Sequence, residues 1–217
     1  MTHEIAVSIE PISDNNQAML RGVIDYVSTH PDLRVHKIGA IPFLPLERLI
    51  DWKGAGVICT TEKLERLNTV ANLKIPCVSV SLHQDPPASL PTVHSDNEAI
   101  GKLAAEHLFE IGLRKFAFVG HLNWLHNQER LLGFQTELRK KGADCEIINV
   151  QFSNSKQWVW PSEIRQRPLA NALKRLHNSV GIFAAHDEFG HDVVETLKRL
   201  KMRIPYDAAV VGVNNNR

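Results

Sequence analysis

The sequence predicts an α/β fold in which parallel strands are joined by helical crossovers. Three observations support this: short apolar runs rich in β-branched residues, helical spacing in the stretches between them, and their alternation almost from end to end. With 217 residues of which 43% are apolar, the chain can bury a sizeable core, as one large domain or as two small lobes. No internal repeat or low-complexity segment interrupts the pattern.

Taken in order, the first half carries strand-like segments at Ile5 to Ile9, Val35 to Ala40, Gly56 to Cys59 and Cys77 to Val80. The second half carries them at Lys115 to Val119, Glu146 to Val150, Gly181 to Ala185 and Ala209 to Val213. The best-marked helix places Ile100, Leu103, Ala104, His107, Leu108 and Ile111 on one face at three- and four-residue steps. Ser95 and Glu98 have the spacing of a capping box at its start, and Gly112 stands where a left-handed C-terminal cap is wanted. A second helix groups Leu131, Phe134, Gln135 and Leu138 and stops at Gly142; a third carries Leu169, Ala172, Leu173 and Leu176. The stretch Gln84 to Pro91 holds three prolines, which neither continue a helix nor donate to a central ladder, so a connection between lobes is expected just after it. Ser153 to Pro168 holds two tryptophans and little periodicity, and is expected to be irregular.

The charge balance is nearly even, 25 basic against 24 acidic side chains for a net charge of +1, without long single-sign runs. Nothing in it resembles the basic footprint of a nucleic-acid-binding surface. The clusters Arg139-Lys140-Lys141 and Lys198 to Arg203 fall at predicted helix ends, where cations complement the helix dipole. The first residues show no signal-peptide pattern and no apolar run is long enough to span a bilayer, so a cytoplasmic protein without membrane contact is expected. Cys59, Cys77 and Cys145 are widely spaced; the first two lie in strand-like segments and are expected in the core.

Catalytic signatures are absent: there is no phosphate-binding loop, nucleophile elbow or dinucleotide fingerprint, and no cofactor is expected. His186, Asp187 and His191 form the densest cluster of metal-ligand types, but residues five apart on a helix do not share a face as a zincin pair does, so no metal is expected. What remains is a set of polar residues just after the C-terminal ends of strands, where open parallel sheets bind ligands. After the first strand come Ser13 to Gln17, including Asn15 and Gln17; after Val119 the stretch from His121 to Arg130; after Ala185, His186 and Asp187; after Val213, Asn214. Each residue alone also reads as a helix cap or solvated loop, and only the coincidence across loops favours a site. Amides, imidazoles, carboxylates and a guanidinium, with Trp124, Trp158 and Trp160 nearby, suit a monosaccharide-sized polyol, whose hydroxyls need fixed partners and whose C–H face stacks on a ring. The tryptophans read equally as packing anchors.

Ser95-Asp96-Asn97, Ala99-Ile100-Gly101, Leu103-Ala104-Ala105, His107-Leu108 and the run Ile111 to Gly120 together resemble the core motif of lac-repressor-type sensor domains. The similarity continues through Arg130 with Gly133-Phe134, Val180 to Asp187, Ile204-Pro205 with Asp207, and Ala209 to Val213. Leu20-Arg21-Gly22-Val23, Tyr26 and the segment Asp51 to Ile58 look like xylose-operon regulators, which couple such a domain to a C-terminal AraC-type helix-turn-helix pair.

The resemblance implies a periplasmic-binding-protein-like type I fold, with two doubly wound parallel-sheet lobes at 1–95 and 96–217 that close on a sugar effector. It also implies a homodimer that controls sugar-utilisation genes, no enzymatic activity, and DNA contact only through a domain absent from this chain. By position, Arg130 matches the family arginine that contacts sugar hydroxyls, Asp187 matches the pattern, His186 stands where asparagine is usual and Asn214 where aspartate is usual. The ligand-binding set is therefore Asn15, Gln17, His121, Arg130, Trp158, His186, Asp187 and Asn214. Against the family pattern the chain stops early, so an incomplete C-terminal side is expected; were the sequence complete in nature, an exposed sheet edge, marginal stability and no DNA binding of its own would follow. The alternatives are a stand-alone sugar-binding protein of a transport system and, less favoured, a sugar- or nucleoside-modifying enzyme using His186 and Asp187 as acid and base.

Overall fold

The computed structural model describes residues 2–9, 13–37, 52–60, 64–81, 85–150, 163–176 and 179–215. The chain divides into two compact units, Met1–Ser95 and Asp96–Asn215. The first contains β1 (His3–Ser8), α1 (Asp14–Ser28), β2 (Leu33–Lys37), β3 (Gly56–Cys59), α2 (Leu64–Ala71) and β4 (Cys77–Ser79). Its four described strands pair in parallel in the order β2-β1-β3-β4. The second contains α3 (Asn97–Glu110), β5 (Lys115–Gly120), α4 (Leu125–Lys140), β6 (Cys145–Asn149), α5 (Glu163–Arg175), β7 (Val180–Ala184), α6 (Asp187–Arg199) and β8 (Ala208–Val211). Its sheet repeats the pattern as β6-β5-β7-β8, again all parallel.

In both sheets the chain winds one way from its first strand and then returns to that strand's other side. The reversal falls between β1 and β3 in the first unit and between β5 and β7 in the second. Such a switch point leaves a crevice at the carboxyl ends of the two central strands. Burial follows from this position. Phe116 to Gly120 and all of β7 are buried, as expected of central parallel strands covered on both faces, whereas β6 at the edge is mostly open. Phe118 packs edge-on against Phe183 with ring centroids 5.5 Å apart, and Phe134 and Phe189 are also fully buried in the same core. In the first unit Cys59 and Cys77 are buried, as their strand setting predicts, and burial pushes the Cys59 thiol up to about 12.

The helix ends are set locally. Gly112 and Gly142 adopt φ of 95° and 73°, and the amides of Leu113 and Ala143 then reach back to the carbonyls of Leu108 and Leu138, closing α3 and α4. At the start of α3 the expected capping box does not form. Asp96, not Ser95, is the N-cap, and its Oδ1 accepts from the Ala99 amide at 2.9 Å. Ser95 and Asp96 are both good caps, and the backbone turns into the helix one residue later than the Ser95–Glu98 spacing suggests. Replacing Asp96 by alanine should therefore lower stability by about 1 kcal/mol, and Ser95 by alanine by less than about 0.5 kcal/mol; urea melts of the two variants decide which residue caps.

Two further expectations are corrected. The irregular stretch read at 153–168 ends early, because α5 begins at Glu163 and takes Pro168 into its sixth position. Proline's fixed φ is helical, and the apolar face formed by Leu169, Ala172 and Leu173 carries the helix through it. The stretch from His121 to Arg130 is a loop only to Trp124; from Leu125 onward it is the first turns of α4. Smaller shifts occur at β2, which begins at Leu33 because that residue pairs with His3, and at β8, which spans Ala208–Val211.

Before β8, Asp207 accepts from the Arg203 side chain through both oxygens, at 3.0 and 2.8 Å, and from the Arg203 backbone amide at 2.8 Å. These bonds hold its carboxyl down to about 2. A carboxylate lowered by folding contributes stability that is complete above its unfolded value, about 3.9, and is lost as pH falls through the folded value. Stability should thus drop between about pH 4 and pH 2, and Asp207→Asn should flatten that part of the profile in acid melts.

Candidate functional site

The second unit gathers polar side chains at its switch point. His121 follows β5 directly and is buried; its Nδ1 lies 2.7 Å from the Val150 carbonyl, which only accepts, so Nδ1 carries the hydrogen. The short loop after it is tied down on three sides. The Leu122 amide donates to Asn149 Oδ1, Gln128 Nε2 donates to the Leu122 carbonyl, and Asn127 Nδ2 donates to the His121 carbonyl. Asn127 is completely buried, and its Oδ1 has no hydrogen-bond partner among the described residues. Trp124 closes the loop, edge-on to His121 at 4.9 Å and to His186 at 5.7 Å, and 6.2 Å from Phe189.

His186 comes straight off β7 and occupies the N-cap position of α6, yet its side chain makes no cap bond. The ring is engaged elsewhere: Nε2 lies 2.8 Å from His126 Nε2, and Nδ1 lies 3.0 Å from Asn214 Nδ2. Asn214, beyond β8, sits at φ 101°, a conformation that asparagine tolerates better than most non-glycine residues. Asp187 opens α6 and donates its amide to the Val213 carbonyl at 3.0 Å. Gly212 lies against the Asp187 carboxylate, where any Cβ would strike Oδ1.

Arg130 is held from α4, one turn beyond His126 and Asn127. Its Nε donates to Asn97 Oδ1 at 3.0 Å and Nη1 to the Ala185 carbonyl, while Asn97 Nδ2 donates to Glu129 at 2.9 Å. Arg130 is only 5% exposed, and that burial pushes its guanidinium down to about 10, with Glu129 and Asp187 opposing the shift. It therefore stays cationic at neutral pH. A fixed, desolvated guanidinium beside imidazoles, amides and a carboxylate supplies donors and acceptors at set angles, as a polyhydroxylated ligand requires.

Of the residues singled out from sequence, His121, Arg130, His186, Asp187 and Asn214 thus lie in one unit. His186 contacts Asn214, and Arg130 bonds the residue preceding His186. Asn15 and Gln17 belong to the other unit, both exposed in the first turn of α1, whose cap is Ser13 accepting from the Asn16 amide. Trp158 lies outside the described residues. Sequence reasoning missed His126, Asn127 and Asn97. The first two share the α4 face of Arg130 at four- and three-residue spacing, a signal visible once the helix is started at Leu125. Among the described residues no group of three or more His, Cys, Asp or Glu side chains is arranged to hold a metal ion, and no helix is long and apolar enough to cross a membrane.

The chain belongs to the family of periplasmic-binding-protein-like sensor domains. Residues 105–217 match the model described as a periplasmic binding protein-like domain, and residues 44–159 match that of periplasmic binding proteins and the sugar binding domain of the LacI family. Among curated proteins it is similar to the xylose operon regulatory protein of Escherichia coli (strain K12), 25% identical over 178 residues that cover 78% of this chain and 44% of that protein. It is also similar to the ribose operon repressor of Lactococcus lactis subsp. lactis (strain IL1403), 29% identical over 173 residues, covering 78% of this chain and 49% of that protein. The chain thus spans less than half the length of these relatives. Among solved structures, that of the xylose-binding transcription activator xylR superposes with a TM-score of 0.80 at 22% identity, over 99% of this chain and 55% of that one. A LacI family transcriptional regulator from Enterococcus faecium with bound ribose gives a TM-score of 0.70 at 21% identity, over 98% of this chain and 78% of that one. The α/β fold with parallel sheets is therefore that of this sensor family.

Proposed function

We propose that the chain is the sugar-sensing part of a cytoplasmic transcription regulator, and that a monosaccharide, with a pentose favoured, is its effector. The observation that carries this reading is the buried Arg130, held beside the carboxyl ends of β5 and β7 with His121, His186, Asp187 and Asn214 around the same switch point. The family to which the chain belongs includes sugar binding domains, and several of its relatives are named for xylose or ribose operons. In this reading Arg130 and Asp187 engage sugar hydroxyls. A sugar bound at this site favours one arrangement of the protein over others, and that difference in affinity is what a regulator dimer passes on to DNA.

Thermal melts against a panel of pentoses and hexoses test the reading. A ligand at 100 times its Kd stabilises by about 2.7 kcal/mol, which for a protein of this size raises the melting temperature by roughly 5 to 10 °C. One sugar or a small related group should give that shift. Flat melts for the whole panel at millimolar concentration would refute it.

A further inference from the structure

We propose that Asn214, His186 and His126 form a hydrogen-bond relay in which the Asn214 amide dictates, through the His186 ring, which nitrogen of His126 carries its hydrogen, making His126 a specificity-determining residue of the site. The consequence for ligand choice rests on the sugar-sensing reading above; the relay itself does not.

The contacts come from three separate parts of the second unit. His186 is 28 residues from Asn214 and 60 from His126 in sequence, and both of its ring nitrogens are engaged by them. The two imidazoles stand nearly perpendicular, at 88°, with Nε2 facing Nε2 across 2.8 Å. Trp124 and Phe189 hold the His186 ring from its sides, at 5.7 and 5.9 Å. His186 also forgoes the capping role that its place at the start of α6 offers, and its ring is turned to these contacts instead.

An amide nitrogen only donates. With Asn214 Nδ2 against it, His186 Nδ1 accepts and is bare, so the hydrogen of the neutral ring sits on Nε2. That Nε2–H donates to His126 Nε2, which must then be bare, and the hydrogen of neutral His126 is placed on Nδ1. Aspartate at 214 reverses every step, because a carboxylate only accepts. His186 then carries its hydrogen on Nδ1 and accepts at Nε2, and His126 donates from Nε2 and leaves Nδ1 as an acceptor. Exchanging one amide nitrogen for an oxygen thus turns a donor into an acceptor two rings away. A site that hydrogen-bonds sugar hydroxyls discriminates strongly on that distinction.

The test uses the full chain with 15N-labelled histidine at about pH 8, above the ordinary imidazole range. The neighbouring titratable and charged groups, His121, Glu129, Arg130, Asp187, Glu188, His191 and Asp192, are identical in the proteins compared. Long-range 1H–15N spectra, assigned with His126→Gln and His186→Gln, read the protonated nitrogen of each ring. The relay predicts His186 protonated at Nε2 and His126 at Nδ1, with both inverted in Asn214→Asp. It also predicts that Asn214→Asp reorders sugar affinities in the panel by roughly tenfold or more, and that this reordering is lost when both proteins carry His126→Gln, which a direct contact of residue 214 with the sugar would leave in place. His126 keeping one tautomer in both proteins, or His186 protonated at Nδ1 in the parent, would overturn the relay. Inversion with an unchanged order of sugars would overturn the specificity role. Inversion in a protein that binds no sugar of the panel would support the relay while refuting the sugar reading.

Discussion

Replacing Gly133 by alanine is expected to destabilise the second unit by about 3 kcal/mol, through overpacking at a point where backbone meets backbone. Gly133 of α4 faces the Glu98 carbonyl of α3, and Gly101 of α3 faces the Arg130 carbonyl and the Phe134 amide, so a Cβ at either position collides with main chain. No side chain can rotate away to relieve it. The helices would have to part, and with them the contacts of Phe134, Leu138, Ala104, Ala105 and Leu108 in one buried core. Gly22 provides the control: it is exposed in the interior of α1 with nothing within 4 Å of an added Cβ, so Gly22→Ala should stabilise by about 0.5 to 1 kcal/mol. Urea unfolding reads both. With a slope of about 2 kcal/mol per molar, the Gly133 midpoint should fall by roughly 1.5 M and the Gly22 midpoint should rise. Equal midpoints for Gly133→Ala and the parent would mean that the helices do not cross this closely.

The second large effect belongs to Arg130. Arg130→Leu removes a buried cation whose bonds satisfy Asn97 Oδ1 and the Ala185 carbonyl, and leaves Glu129 and Asp187 without the charge that offsets them. Loss of one partner from such a buried network costs about 3 to 5 kcal/mol. Arg130→Lys keeps the charge but not the planar fork, so it cannot make both bonds at once, and a loss of about 1 to 2 kcal/mol is expected. Thermal melts of the two variants should rank them in that order. The same substitutions should weaken sugar binding, which separates Arg130 from residues that serve only the core.

Much of the fold is legible in the sequence because its signals are local. The period of α3, the glycines that close α3 and α4, and the continuous apolar runs of β5 and β7 each report their own surroundings. The cap at Asp96 is misread by one residue because two adjacent residues are chemically suited to it, and only the backbone path chooses. The site divides in the same way. His121, His186, Asp187 and Asn214 are visible because they follow strands, and strand ends are where a parallel sheet opens. His126 and Asn127 are hidden because they lie in the first turn of α4, ahead of the apolar face from Leu131 to Leu138 that marks the helix in the sequence. The His126–His186 contact spans 60 residues and leaves no local mark at all. Asn97 reads locally as a helix start, and its bonds to Arg130 and Glu129 emerge only from the close crossing of α3 and α4.

Calorimetric titration of the best sugar of the panel into the parent protein and into Arg130→Lys tests the central claim most directly. The parent should bind one molecule per chain with saturable heat, and Arg130→Lys, while still folded, should bind at least roughly 30-fold more weakly, the equivalent of about 2 kcal/mol for a lost charge-assisted bond. Absence of saturable heat with any pentose or hexose, or equal affinity in the two proteins, would contradict it.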